Sequence, residues 1–410
     1  MSVDHRRLGR ELDLFDSDPL IGAGLPFWLP GGAAARREIE SYLYELERRA
    51  GYRHVYSPAM GRRRMYELSG HWANFADDMF PPMRVGEDEL VLRPSLCPHH
   101  ALIFRARGRS YRDLPLRIAE LGPMFRAERS GVVGGLSRVR SMLLNDAHIF
   151  CAEDQAGAEV AGVLSLMRRA HAALGMGPVS YRLSLRGPGK KYGGDDAMWA
   201  RAEALLRGAL ADERIRYAEA RGEAAFYGPK IDIQVADPSG REWTLATVQV
   251  DYHQPRRFEL EYVDANGGRQ RPVMVHRSLA GSMERLFGHL IEVHEGAFPV
   301  WYAPVQLAVL PVGAGQDEAA GGFLRDALDA GLRAEAERGG SVGARVRKHR
   351  KVPYLAVIGA REAADGSVAL RPRDGGRPVP MPRAEAIALI GAAASAGRDG
   401  QAGADARDRP

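Results

Sequence analysis

The residues best suited to chemistry cluster between Leu114 and Cys151, in LPLRIAELGPMFRAERSGVVGGLSRVRSMLLNDAHIFC. Arg126 stands two residues before Glu128, and a glycine-rich basic loop with Arg138 and Arg140 follows. The strand-like NDAHIF beyond it carries Asp146 and His148. Cations in a loop between two apolar strands suit a triphosphate, because fixed positive groups stabilise charge that develops on phosphoryl oxygens. The acid and the histidine suit a polar substrate or a metal. Cys97 and His276 lie far from this stretch, and no short zinc-ligand spacing joins them to His148. Taken alone, the cysteine reads as a small buried hydrophobe and each histidine as structural.

These residues need a scaffold, and the sequence has the periodicities of one. Ala33 to Ala50 has Ile39, Leu43 and Leu46 at helical spacing, with Gly51 as a cap. YRHVYSPAM then reads as a strand running into a proline. Glu87 to Phe104 predicts strand, turn and helix, with Cys97, Pro98, His99 and His100 at the turn. Ala152 to Leu174 predicts an amphipathic helix. KIDIQVAD and REWTLATVQVDY alternate apolar and polar residues as a hairpin would, with Pro-Ser-Gly at the turn. From Val305 the pattern becomes strand, helix, strand, helix, strand, a separate α/β unit of about 90 residues. The fold class expected is α/β (α+β): an antiparallel sheet flanked by helices over 1–300, a smaller α/β domain over 304–394, and a disordered tail over 395–410.

Hydrophobic residues make up 45% and charged residues 27%, which excludes a largely disordered chain. No apolar run approaches the roughly 20 residues that span a bilayer, and MSVDHRRLGRELDLF lacks the core of a secretory signal. Two cysteines do not make a disulfide framework, so a cytoplasmic setting is expected. A net charge of +5 permits nucleic-acid binding without requiring it.

RAE, the basic loop and DAHIF together resemble motif 2 of the class II aminoacyl-tRNA synthetases, and the DAHIF ending resembles the threonyl-tRNA synthetase family. The helix-strand-proline element resembles motif 1, which implies a homodimer. The resemblance implies a Zn²⁺ held by Cys97 in RPSLCPHH, His148 in DAHIF and His276 in PVMVHRSLAGSMER. One thiolate and two imidazoles leave a tetrahedral ion one open position. Threonine differs from its near isostere valine by a hydroxyl, and Asp146 matches the acid that accepts that hydroxyl's hydrogen bond. Arg126 matches the arginine bridging amino-acid carboxylate and α-phosphate, and Arg285 in GSMERLFGHL matches the motif 3 arginine opposite it. Glu128 matches the reader of the adenine amino group, Arg138 the arginine at the terminal phosphates, and Gln249 a nucleotide contact. Met142 stands where an aromatic residue usually stacks on adenine. Tyr227 and Lys230 resemble the substrate-side strand, and His71 in ELSGHWANF resembles the histidine used in transfer to tRNA.

The implied function is ATP-dependent activation of threonine, with Mg²⁺ accompanying ATP, and transfer to tRNA(Thr), with no membrane partner. The resemblance starts at HRRLGRELDLF, so editing of misacylated tRNA is not expected within this chain. The pattern departs at Ser95, Leu96, His99, Met142 and Leu144, all around the pocket. AERGGSVG keeps Arg338 and Gly343 but has Gly339 and Gly340 where base-reading side chains are usual, and Arg345, Arg347, Lys348, Arg350 and Lys351 remain to grip phosphates. Three alternatives follow: a paralogue that loads a β-hydroxy amino acid onto a carrier protein or small acceptor, an inhibitor-resistant variant, or a non-catalytic tRNA-binding protein.

Overall fold

The computed structural model describes residues 3–398 except 130, 190, 191, 238 and 239. Its larger sheet has eight strands, in the spatial order Ala218–Arg221, Ser180–Leu185, Lys230–Ala236, Glu242–Asp251, Val273–Ser278, Ser141–Cys151, Leu116–Phe125 and Arg53–His54. The inner pairs are antiparallel, and only the two edge strands pair in parallel. Lys230–Ala236 and Glu242–Asp251 pair as the expected hairpin, although 238 and 239 of its turn lie outside the described residues.

Side chains alternate across a strand, and here the alternation divides core from cleft. Ala147, Ile149 and Cys151, with Ile231, Ile233, Val248, Val250 and Val275, are buried against the helices Ala156–Leu174 and Asp196–Asp212. Met142, Leu144, Asp146 and His148 occupy the intervening positions and line a cavity on the other face. The sequence signalled the first helix but not Asp196–Asp212, whose N-cap is the Asp195 side chain accepting from the Met198 amide at 2.8 Å.

The helix Pro30–Arg49 begins three residues before its expected start, because a proline at its first turn needs no amide partner and has helical φ already set. It buries Ile39, Leu43 and Leu46 as expected. It also buries Glu47, which the sequence did not flag. The Glu47 carboxylate accepts from Arg277 at 2.7 Å, Asn145 at 2.8 Å and His54 at 2.8 Å, and the Arg277 guanidinium lies 4.2 Å from the centre of the Tyr52 ring. Burial opposes ionisation of Glu47, but the Arg277 charge and these hydrogen bonds outweigh it and hold the pKa below the usual carboxylate range. A depressed carboxylate contributes stability above its unfolded pKa and loses it as pH falls through the folded value. Glu47→Ala strands the Arg277 charge. It is expected to cost about 3–5 kcal/mol, read as a lower urea midpoint that no longer depends on acid pH in the same way. A midpoint equal to that of the parent chain contradicts the assignment.

The second sheet has the order Ala334–Ala336, Leu307–Pro311, Tyr354–Ile358, Ser367–Pro372 and Val379–Pro382. The first three strands are parallel, as the alternating pattern predicts, and the last two add an antiparallel edge that it did not reveal. Gly339 and Gly340 both have positive φ, 81° and 66°, and make the turn into the helix Val342–Lys348, which Ser341 caps. Arg345 corrects an expectation. It is buried, with its guanidinium donating to the carbonyls of Pro311 at 2.7 Å and Glu337 at 2.9 Å, so it supports the fold and is not free for phosphate. Lys348 pairs with Glu337 at 2.8 Å and Lys351 with the Glu295 carbonyl, while Arg347 and Arg350 stay exposed.

The final helix, Arg383–Arg398, runs through 395–398, where a disordered tail was expected. Its last turn packs against Trp301 at Gly397, and Arg398 pairs with Glu38 at 2.8 Å, contacts that the polar composition of the segment does not announce. The remainder of that expected tail, 399–410, lies outside the described residues.

Candidate active site

Strand register assembles the site. Lys230 pairs with Gln249, Gln249 with His276, and His276 with His148, so one transverse row of the sheet carries four of the expected residues. The cavity above this row measures about 460 Å³. His71, Arg126, Glu128, Arg138, Met142, Asp146, Tyr227 and Arg285 also line it. Cys97 is buried at the start of the helix Cys97–Arg105, which packs on the sheet face that carries His148.

Ligand atoms of Cys97, His148 and His276 all lie within 4.8 Å of one another, and all three residues are buried. The His148 and His276 rings meet edge to face at 4.6 Å, and Tyr227 stacks on His276 at 4.8 Å. Each imidazole has one nitrogen engaged behind the cluster. His148 Nδ1 lies 2.8 Å from His100 Nδ1, and His100 Nε2 lies 3.2 Å from Glu120 Oε2. With its proton on Nε2 donated to Glu120, His100 accepts at Nδ1 from His148, leaving His148 Nε2 free to ligate. His276 Nε2 donates to Asp251 at 2.7 Å, leaving Nδ1 free. Burial drives His148 well below the usual imidazole range, which keeps it in the neutral form a ligand requires. Burial pushes the Cys97 thiol up, the opposite of what a ligand needs, although the Ser95 hydroxyl 2.9 Å from its sulfur partly offsets this. A sulfur and two imidazoles fit zinc in donor type and number.

Sequence reasoning missed His100, Glu120 and Asp251. His100 stands three residues after Cys97 on one helix, a spacing that brings two side chains to one face and was a usable signal. The other two are recognisable only from cross-strand neighbours. Partners that orient metal-binding histidines typically contribute 10–100-fold in affinity. His100→Ala is therefore expected to weaken zinc binding by about that factor in a chelator competition, and unchanged affinity would refute the relay.

The other half of the cavity is cationic. Arg126 is exposed in the cleft, and the charges of Glu128 and Asp78 face it. Burial lowers the pKa of Arg285, and repulsion from Arg126 and Arg138 lowers it further, so three guanidiniums converge on one space. Glu128, with φ at 45°, accepts from Arg138 at 2.7 Å. A non-glycine residue at positive φ costs energy and is commonest at functional sites. The Gln249 side-chain oxygen is buried without a partner, while its amide donates to Thr247 at 3.2 Å. Lys230 pairs with the buried Asp232 at 2.5 Å.

Asp146 sits between the two halves, its carboxylate 3.9 Å from His148 Nε2. Burial pushes its pKa up to about 7 against the opposing pull of His276 and Arg277. His71 is buried, with Nδ1 2.8 Å from the Ser69 hydroxyl and Nε2 3.6 Å from the Cys97 sulfur. Burial, then the His276 and Arg126 charges, bring its pKa down to about 3. Ser95, Met142 and Leu144, three of the positions where the chain departs from the family pattern, line the same cavity.

Residues 82–294 match the class II core domain of the G, H, P, S and T tRNA synthetases, and residues 306–392 match an anticodon binding domain. Threonine–tRNA ligases of Listeria monocytogenes (strain HCC23) and Lactiplantibacillus plantarum are each 48% identical to the chain, over 376 and 375 residues. Those alignments cover 90% of this chain but 58% and 57% of the ligases, so the chain spans less than two thirds of their length. The crystal structure of the RNA binding domain of threonyl-tRNA synthetase from Cryptosporidium parvum superposes with a TM-score of 0.90 at 32% identity, covering 95% of this chain and 98% of that one. Prolyl-tRNA synthetase of Giardia lamblia shares the fold, with a TM-score of 0.75 at 18% identity, over 98% of this chain and 82% of its own. No helix among the described residues is long and apolar enough to cross a membrane.

Proposed function

The chain belongs to the threonyl-tRNA synthetase family of class II, and from that premise we propose that it activates threonine with ATP and Mg²⁺ and transfers it to tRNA(Thr). One observation carries the proposal: the row Lys230, Gln249, His276, His148 shares a cavity with the converging Arg126, Arg138 and Arg285, and the Cys97 sulfur lies beside its two histidines. One half suits a small polar amino acid and the other a polyphosphate.

In this reading the threonine carboxylate attacks the α-phosphorus, the bond to pyrophosphate breaks, and threonyl-adenylate forms. Arg126 and Arg285 face the reacting phosphoryl group and oppose the charge growing on its oxygens. Arg138 exchanges Glu128 for the terminal phosphates, which frees the Glu128 carboxylate for the adenine amino group. Met142 packs on the adenine ring and Gln249 offers its unpartnered oxygen to the nucleotide. Zinc held by Cys97, His148 and His276 would supply an open coordination position to the substrate amino and hydroxyl groups. Asp146 accepts the hydroxyl hydrogen, a contact valine cannot return. Tyr227 and Lys230 close the substrate side. His71, kept neutral by burial, faces the acyl group and receives the ribose hydroxyl proton during transfer.

The proposal assigns 1–300 to the catalytic core and 304–394 to anticodon binding, with the matches at 82–294 and 306–392 in support. It includes a homodimer and a cytoplasmic setting. Threonine-dependent ATP–pyrophosphate exchange on zinc-loaded protein tests it, with serine, valine and other β-hydroxy amino acids in parallel. Exchange with threonine followed by charging of tRNA(Thr) is the expected result. Exchange confined to another amino acid favours the carrier-loading reading, which the changed wall at Ser95 and Leu144 motivates. No exchange by folded, zinc-containing protein overturns the enzymatic reading.

A further inference from the structure

Asp4, His5 and Glu292 bring three ligand-type side chains together outside the cleft. They are not arranged for a cation, because both ring nitrogens of His5 are committed. Nδ1 donates to Glu292 Oε1 at 2.7 Å, and Nε2 accepts the backbone N–H of Leu136 at 3.1 Å. Asp4 caps its own helix through the Arg6 amide at 2.8 Å and pairs with the Arg6 side chain.

Leu136 belongs to the loop between Arg126 and Arg140, which carries Glu128 and Arg138. It is fully buried, and a Cβ on Gly135 would lie 2.2 Å from His5 Nε2, so the ring packs directly on the loop backbone. Gly135 holds φ at 52°, a conformation that favours glycine. On the next residue, Arg285 Nε donates to the Ser137 carbonyl at 3.0 Å. The N-terminal segment adds a second hold, with the Gly24 carbonyl accepting the Arg140 amide at 2.7 Å and the Ala23 carbonyl its guanidinium at 3.2 Å. Glycine-rich loops lose the most entropy when a ligand orders them. A loop held in advance spares the ligand that cost.

We infer that His5 is a positioning residue for the nucleotide. It touches no substrate; it holds Leu136, and through the loop it holds Arg138 and Glu128 at the height the triphosphate and adenine require. The inference rests on reading the cleft as an ATP site.

Two substitutions separate the two hydrogen bonds. In His5→Asn the shorter side chain keeps a donor near Glu292 and loses the acceptor for Leu136. In His5→Gln an amide oxygen reaches the Leu136 N–H. Both are measured in the full chain by pyrophosphate exchange, by direct ATP binding, and by hydrogen exchange of the loop without ligand. His5→Asn is expected to raise KM and Kd for ATP about threefold to tenfold, the worth of one hydrogen bond. It should leave KM for threonine and kcat at parent values and speed loop exchange, while His5→Gln restores both the ATP affinity and the protection. Equal losses in kcat and both KM values, or unchanged ATP affinity with unchanged loop exchange, overturn the inference. A parent protein that binds ATP without threonine-dependent exchange overturns the function and leaves the His5 result standing; a parent that binds no ATP overturns both.

Discussion

Replacing Arg126 by alanine lowers threonine-dependent ATP–pyrophosphate exchange by about 10²–10³-fold, the usual loss when one preorganised donor to a developing anion is removed. The expectation follows from the charge balance of the cleft. Arg126, Arg138 and Arg285 face one space, whereas Glu128 is already spent on Arg138 in the free protein. Arg126 stands at the end of the strand Leu116–Phe125, so the sheet fixes its origin while its guanidinium remains exposed to ligand. Because the residue is exposed, the variant should fold with the stability of the parent chain. Exchange retained within about threefold, less than one net hydrogen bond is worth, would mean that the reacting phosphate does not sit between Arg126 and Arg285.

Zinc loss from His276→Ala is the second large effect. The side chain supplies one of three ligand atoms, and its other nitrogen is held by Asp251 at 2.7 Å. Its removal leaves two donors and takes from the buried Asp251 the partner of Oδ2, while Oδ1 keeps the amides of His253 and Gln254. Purified His276→Ala is expected to contain almost no zinc. Its preference for threonine over valine should then fall to what an apolar pocket achieves, about 10²-fold or less. Metal analysis alongside valine-dependent exchange reads both effects. Full zinc content in the folded variant would sink the metal assignment, and intact selectivity without zinc would move discrimination onto Asp146 alone. His276→Gln offers a smaller perturbation, since its amide reaches the Nε2 position and can still donate to Asp251, and it should lose zinc as well.

The departures in the pocket wall bear on which amino acid the proposed activity would prefer. Leu144 faces the cavity on the same strand face as Asp146 and His148, where the family pattern has an amide. An apolar residue there removes a polar contact and, in the proposed reading, leaves the substrate hydroxyl to Asp146 and the Cys97–His148–His276 cluster. The Ser95 hydroxyl lies 2.9 Å from the Cys97 sulfur, so this departure touches a proposed metal ligand as well as the pocket wall.

Much of this protein was determined by local sequence. Helical spacing marked Ala33 to Ala50 and Ala152 to Leu174, within a few residues of the helices Pro30–Arg49 and Ala156–Leu174, and alternation marked the hairpin strands, because apolar periodicity reports directly which side of an element is buried. The motif around Arg126, Glu128 and His148 pointed to adenylate chemistry, since those residues lie within one strand–loop–strand unit. Tertiary structure decided what lies between units. Glu120 and Asp251 drew no attention in the sequence; strand pairing sets Glu120 opposite Asp146, and a hydrogen bond joins Asp251 to His276. Arg345 read as a phosphate-binding cation until packing buried it under two carbonyls. His5 carried no signal in the sequence, and only the fold sets it against a loop 131 residues away. A side chain's type and periodicity belong to the chain, whereas its hydrogen-bond partners depend on strand register and on which distant surfaces are buried together, and those are set by the packing of the whole sheet.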